Sequence, residues 1–215
     1  MNESSKEIEM GFTKDFFPEY GHICLIYEND EQRRRIVSEY MAAGIRQGEL
    51  VRYFADSTTP EKIRSWLLEI GVALPEAEQN GAFTISRAES AYCPNGQFEP
   101  QVMIDGTEHR FGQAKEAGYS GVRSCGEMTW VFRGIPGSDR WLEYEALLNT
   151  VTATFPHTGM CQYDARLFDG ATLFNVLQVH PLIIAQGQVV RNPYYIRPEE
   201  YLAKLRSKGT EEESS

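Results

Sequence analysis

The chain has 215 residues, 41% hydrophobic and 24% charged, enough for one domain with a full core and marginal for two. Its formal net charge is −10, and its one dense basic run, Arg33-Arg34-Arg35, follows Glu28, Asp30 and Glu31. Phosphate neutralisation needs clustered cations, so this run reads as a solvated helix face and direct nucleic-acid binding is not expected. No apolar run approaches the roughly 20 residues that span a bilayer, and the polar start Met1 to Glu7 has no apolar signal core. The expected setting is the cytoplasm, with no membrane contact.

Along the chain, residues 1–14 and 209–215 are polar and read as disordered tails around one domain, 15–208. A first strand spans about 21–28 and a helix about 31–47, with Gly48 as its stop. Leu50 to Ala55 is a second strand. Thr58-Thr59-Pro60 opens a helix whose apolar stripe is Ile63, Trp66, Leu67 and Ile70. Ala82 to Ser86 is a third strand, and Ser90 to Phe98 a loop. A helix over 99–118 leads into a strand over 121–127. After the loop Gly134–Gly137, Ser138 caps a helix to about Phe155, and a strand covers 159–165. A short helix at 169–178, a last strand at 189–196 and a helix at 199–207 complete the pattern. Alternating strands and helices predict an α/β fold: three αβα layers around a mostly parallel sheet.

Three strand-like segments carry sulfur or imidazole beside polar groups: His22 to Tyr27, Cys125 to Trp130 and Cys161 to Asp164. Burying such groups costs a few kcal/mol each unless they find partners. They point to a pocket at the carboxyl ends of the strands, where α/β folds place ligands. His22 and Cys24 share a strand face, as do Cys125 and Glu127, and Cys161 and Tyr163. If the strands are neighbours, His22, Cys24, Cys125 and Cys161 are candidate ligands for zinc or iron; the stronger competing reading is that the thiols are small apolar filler, and a redox or covalent role is a third. The cysteines show no CxxC pair and read as reduced. Cys93, before Pro94, reads only as an exposed thiol.

Glu127 at a strand end is a ligand-binding carboxylate or an ion-paired acid. Asp164 binds ligand or pairs with Arg166. Tyr27, Trp130 and Tyr163 are aromatic candidates for the pocket wall, and His180 is a ligand residue or a surface imidazole. The turn after Tyr27 is Glu28-Asn29-Asp30-Glu31, with no GxxxxGK[ST] and no GxGxxG, so ATP binding is not expected. No GxSxG or HExxH gives a positive sign of catalysis.

The segments Gly21 to Tyr27, Tyr53 to Asp56, Glu89 to Pro100, Cys125 to Trp130, Cys161 to Asp164 and His180-Pro181, in this order, resemble the MEDS domain, the DcmR-like sensory domain of methanogens and methylotrophs. The resemblance covers about residues 15–185. It implies a RecA/KaiC-like core without a functional phosphate loop, with the strands of Cys24, Cys161 and Cys125 side by side. Glu127 would then fall near the place where the ATPase relatives keep a metal-binding acid. The resemblance further implies a sensor of small hydrocarbon derivatives, halogenated or methylated one-carbon compounds, signalling to a histidine kinase or a transcription regulator. No helix-turn-helix or kinase segment is visible in the sequence, so output would pass through a partner protein or a homodimer. Two other readings stand beside the non-enzymatic sensor: a metal-dependent enzyme on a one-carbon or thiol compound, and an interaction module with a vestigial pocket.

Overall fold

The computed structural model of the chain describes residues 7–18, 21–152 and 156–212. Its elements are β1 (Glu7–Glu9), β2 (Phe16–Pro18), β3 (Gly21–Tyr27), α1 (Asp30–Arg46), β4 (Leu50–Ala55), α2 (Pro60–Glu69), α3 (Leu74–Gln79), β5 (Phe83–Arg87), α4 (Ala88–Tyr92), α5 (Pro100–Glu116), β6 (Val122–Glu127), α6 (Trp141–Thr152), β7 (His157–Asp164), α7 (Gly170–Val179), β8 (Leu182–Ala185), β9 (Gln188–Arg191) and α8 (Pro198–Glu212). Short 3-10 turns cover Met128–Arg133 and Ser138–Arg140.

The large sheet runs β5-β4-β6-β7-β3-β8-β9. Only the β8–β9 hairpin at its edge is antiparallel. β7 is buried at every position, as expected of a central parallel strand covered on both faces. The expected adjacency of β3, β7 and β6 holds, and the register sets Cys24 against Cys161 and Gly126 against Cys161.

Strand alternation sorts the chemistry into two layers. Ile23, Leu25, Tyr27, Cys125 and Met160 pack with Ile36, Val37 and Met41 of α1 and with Ile63, Trp66 and Leu67 of α2. Cys24, Cys161 and Tyr163 pack on the opposite side with Met103 of α5, Trp141, Tyr144 and Leu148 of α6, and Val176 of α7. Cys125 therefore lies across the sheet from Cys24 and Cys161.

Several expectations need correction. The leading segment is not a tail throughout: β1 pairs with β2, and Ile8 and Met10 are core residues. Their apolar side chains find α1 and the sheet, which outweighs the polarity of the flanking sequence. Residues 209–212 belong to α8, while residues 1–6 and 213–215 lie outside the described residues. Ile70 caps α2 and is exposed. The loop over Ser90–Phe98 begins inside α4, and α3 went unseen because it is only a turn and a half. Ser138 opens a 3-10 turn before α6 instead of capping it, and the end at Phe155 lies outside the described residues. The last strand stops at Arg191, two residues before Pro193, and pairs with the unforeseen β8.

Candidate functional site

The carboxyl ends of the central strands are closed by polar side chains. Glu127 Oε1 accepts from Tyr53 Oη at 2.6 Å and pairs with Arg33 Nη2 at 2.8 Å. Its Oε2 accepts from the backbone N–H groups of Asp56, Ser57 and Thr58 and from Ser57 Oγ. Arg33 also donates to Gln162 Oε1 at 2.8 Å and Thr58 Oγ1 at 3.0 Å, and its guanidinium stacks 4.8 Å from the Tyr27 ring. Burial pushes the Glu127 carboxyl up, but Arg33, Tyr53, Ser57 and Thr58 outweigh it and hold the group below the usual carboxylate range. With every lone pair engaged, Glu127 is a structural ion-paired acid. Arg33 is buried and so is not part of a solvated face. Asp164 pairs with Arg166 at 2.7 Å, and Arg166 bridges on to Asp30 at 2.7 Å. The N-terminus of α1, where a nucleotide phosphate would sit, is capped by the Asn29 side chain and opens with Asp30 and Glu31, which agrees with the lack of a phosphate loop. At this edge Tyr27, Glu127 and Asp164 are engaged with Arg33 and Arg166.

On the other face lies a fully buried constellation. Glu145 Oε2 is 2.9 Å from His22 Nε2 and 3.2 Å from His180 Nε2, and Cys161 Sγ is 3.5 Å from His22 Nε2. His22 comes from β3, Cys161 from β7, Glu145 from the sheet side of α6, and His180 from the C-terminal end of α7. The two imidazole rings are 4.0 Å apart. Asn149, one helical turn beyond Glu145, donates through its Nδ2 to the carbonyls of Glu145, Ala146 and Val179, so its Oδ1 faces His22 Nδ1 at 3.1 Å. Burial raises the Glu145 carboxyl, but His180 and His22 outweigh it and bring it down to about 2. Burial, then His22, lowers His180. Burial, then Glu145, keeps the thiols of Cys161 and Cys24 well up, hence protonated.

Beside this constellation is a partly open cavity of about 30 Å³, between β4, β6 and β7 on one side and α5 and α6 on the other. Leu50, Phe54, Met103, Phe111 and Val122 give it apolar walls, with Tyr144, Thr107, Ser124 and His157 as polar members and Arg52 and Arg110 as charged ones. That volume exceeds what one water needs and is far below that of a drug-sized site. Ser124 Oγ is 2.8 Å from His157 Nε2, while His157 Nδ1 is buried without a partner. Burial, then Arg110 and His22, pushes His157 down to about 3, so this imidazole is neutral. No carboxylate among the described residues orients it, so the Ser124–His157 pair lacks the third member of a nucleophilic relay.

The expected residues therefore divide. His22, Cys161 and His180 converge, and His180 is buried instead of on the surface. Cys24 lies on the same sheet face but outside that group, and Cys125 accepts a hydrogen bond from Gln162 on the opposite face. Trp130 stacks on Tyr92 at 4.9 Å, and Tyr163 meets His180 edge-on at 5.6 Å. Cys93 is buried. Glu145 and His157 were not singled out from the sequence, and Arg33 was read only as part of a solvated basic run. The one available signal was Glu145, an acid between Tyr144 and Leu148 on the apolar stripe of its helix.

This geometry defines a class: a RecA/KaiC-type αβα core with a buried polar constellation between the sheet and α6. The family described as the methanogen/methylotroph DcmR sensory domain, MEDS, matches residues 21–181. The chain belongs to that family. The transcriptional repressor DcmR of Methylorubrum extorquens is 26% identical over 164 residues, covering 75% of this chain and 58% of the repressor, so the chain spans little more than half of that relative's length. Among solved structures, a KaiC-like protein from Pyrococcus horikoshii aligns with a TM-score of 0.60 at 12% identity, covering 84% of this chain and 80% of that one. The flagellar accessory protein FlaH from Methanocaldococcus jannaschii aligns with a TM-score of 0.58 at 9% identity, covering 85% and 83%. At these identities the likeness concerns the fold alone. No helix among the described residues is long and apolar enough to cross a membrane.

Proposed function

We propose that this sensory domain binds a small one-carbon-type hydrocarbon derivative, halogenated or methylated, in the layer between the sheet and α6. The proposal places the ligand in the cavity beside His157, not at the carboxyl ends of the strands. The observation that carries it is the set of orphaned polar atoms. Among the described residues, Trp130 Nε1, His157 Nδ1 and Tyr163 Oη are buried without a hydrogen-bond partner, and Glu145 and His180 meet only as an ion pair. All belong to the α6 side of the sheet. More than about nine in ten buried polar groups in folded proteins have partners, and each orphan costs about 1–3 kcal/mol. Their collection in one layer fits a layer that closes around a guest. A cavity of about 30 Å³ suits a guest of very few heavy atoms. Binding would stabilise the closed packing of α5 and α6, and a cytoplasmic partner protein or a second copy would read that change.

Ligand-observed NMR and thermal unfolding with dichloromethane and methanol as probes test this reading. Saturable binding with a raised Tm in the native chain, abolished by Ser124→Val, is the expected result. Equal responses from the native chain and the variant would sink the cavity assignment, and no response to any one-carbon probe would sink the ligand class.

A further inference from the structure

We propose that His22, Glu145, Cys161 and His180 hold a divalent metal ion, zinc or an ion of similar preference, inside the sensory layer. The role given to this ion deepens the sensory reading and rests on it. The site itself rests on separate geometry.

The ligand atoms of these four residues lie within 4.8 Å of one another, and all four residues are buried. Tetrahedral zinc has bonds of about 2.0–2.1 Å to nitrogen and oxygen and about 2.3 Å to sulfur, which sets neighbouring ligand atoms about 3.3–3.6 Å apart. The Cys161 Sγ to His22 Nε2 separation is 3.5 Å, and the Nε2 to carboxylate separations are 3.2 and 2.9 Å. Three of the six ligand–ligand separations thus lie at or just below tetrahedral edges, and all six lie within 4.8 Å.

The tautomers point the same way. His180 Nδ1 is 2.8 Å from the Val176 carbonyl, which can only accept, so Nδ1 carries the proton. The amide of Asn149 is oriented by three backbone carbonyls, leaving its Oδ1 to accept from His22 Nδ1. In the neutral form of each ring the bare lone pair falls on Nε2, and both Nε2 atoms face the Glu145 carboxylate. Lone pair against carboxylate is repulsive unless a cation lies between. An Nδ1–H held by a carbonyl is also the usual outer support of a metal-binding histidine.

Two protonated imidazoles sharing Glu145 would also remove the repulsion. That arrangement would need N–H···O bonds along the 2.9 and 3.2 Å contacts to Glu145 Oε2, whose alignment falls short of hydrogen-bond geometry. It would also stack two cations with ring centroids 4.0 Å apart in the core. A divalent ion instead leaves both rings neutral. With the Glu145 carboxylate and the Cys161 thiolate its charge is cancelled, and the thiol proton leaves to solvent as the metal–sulfur bond forms. Four ligands from four elements make this a closed site, acquired as the chain folds.

The test is refolding of the full chain from denaturant plus chelator, with and without zinc, followed by elemental mass spectrometry and X-ray absorption at the zinc edge. About one zinc per chain, with one sulfur and two imidazoles in its shell and a raised Tm, is expected. No retained zinc, or a shell of oxygens only, would overturn the site, and both readouts use the native chain. Cobalt(II) loading should give a thiolate-to-cobalt absorption band that Cys161→Ser removes and Cys125→Ser retains. The band persisting in Cys161→Ser would overturn the assignment. Dichloromethane titrations after refolding with and without zinc separate the two proposals. Probe binding by a chain that retains no zinc even when refolded with it would overturn the metal site and leave the sensor. A one-sulfur shell without a response to one-carbon probes would support the site and remove the sensory role.

Discussion

Tyr144 and Glu145 are consecutive on α6, yet they enter two different chambers of one layer. Tyr144 lines the cavity that also holds His157, while Glu145 carries its carboxylate to His22 and His180. Consecutive helical residues diverge by about a quarter of a turn, so a single buried face reaches both.

Glu127 is the clearest structural acid of the chain. Glu127→Ala leaves Arg33 buried without its counter-ion and strands three backbone N–H groups. Breaking a buried pair in this way costs about 3–5 kcal/mol. Chemical denaturation should show that loss, and the folded fraction should still bind one-carbon probes. Weak binding at unchanged stability would return Glu127 to a ligand role.

The same pair gives a pH signature. Glu127 sits below the usual carboxylate range in the folded chain, so its contribution is complete above the unfolded value of about 4.3 and is lost as pH falls through the folded value. The stability gap between the native chain and Glu127→Gln should be flat from about pH 6 to 8 and should narrow on acidification below about pH 4. Denaturant titrations across this range measure it. A gap that widens toward acid would contradict the sign.

Arg33→Lys should also destabilise. The guanidinium reaches Glu127, Tyr53, Thr58 and Gln162 at once, and an ammonium cannot reproduce that planar fork. A loss of about 1.5–3 kcal/mol is expected from the charged hydrogen bonds that disappear. Unchanged unfolding would mean that the substituted ammonium finds equivalent partners.

Gly126 marks where the Tyr92–Trp130 stack meets the sheet. A Cβ there would lie 2.3 Å from Tyr92 Oη, on a ring stacked 4.9 Å from Trp130. Gly126→Ala should cost about 1–3 kcal/mol through overpacking and change the near-UV circular dichroism of the stacked aromatics. An unaltered spectrum would show that Tyr92 moves aside freely.

The α/β class, most strand positions and the polar side chains His22, Cys161 and His180, which the fold brings close together, were legible in the sequence. These are local properties: strand and helix periodicity, and polar side chains within apolar strands. The partners of those side chains were not legible, because they come from elements far apart in the chain. Strand parity and the order β6-β7-β3 put Cys125 across the sheet from Cys161 and let Glu145, distant from His22 in the chain, close the constellation. Arg33 read as solvated from its neighbours alone, yet the tertiary structure buries it against Glu127, since a buried carboxylate on β6 needs a cation and α1 supplies the nearest one.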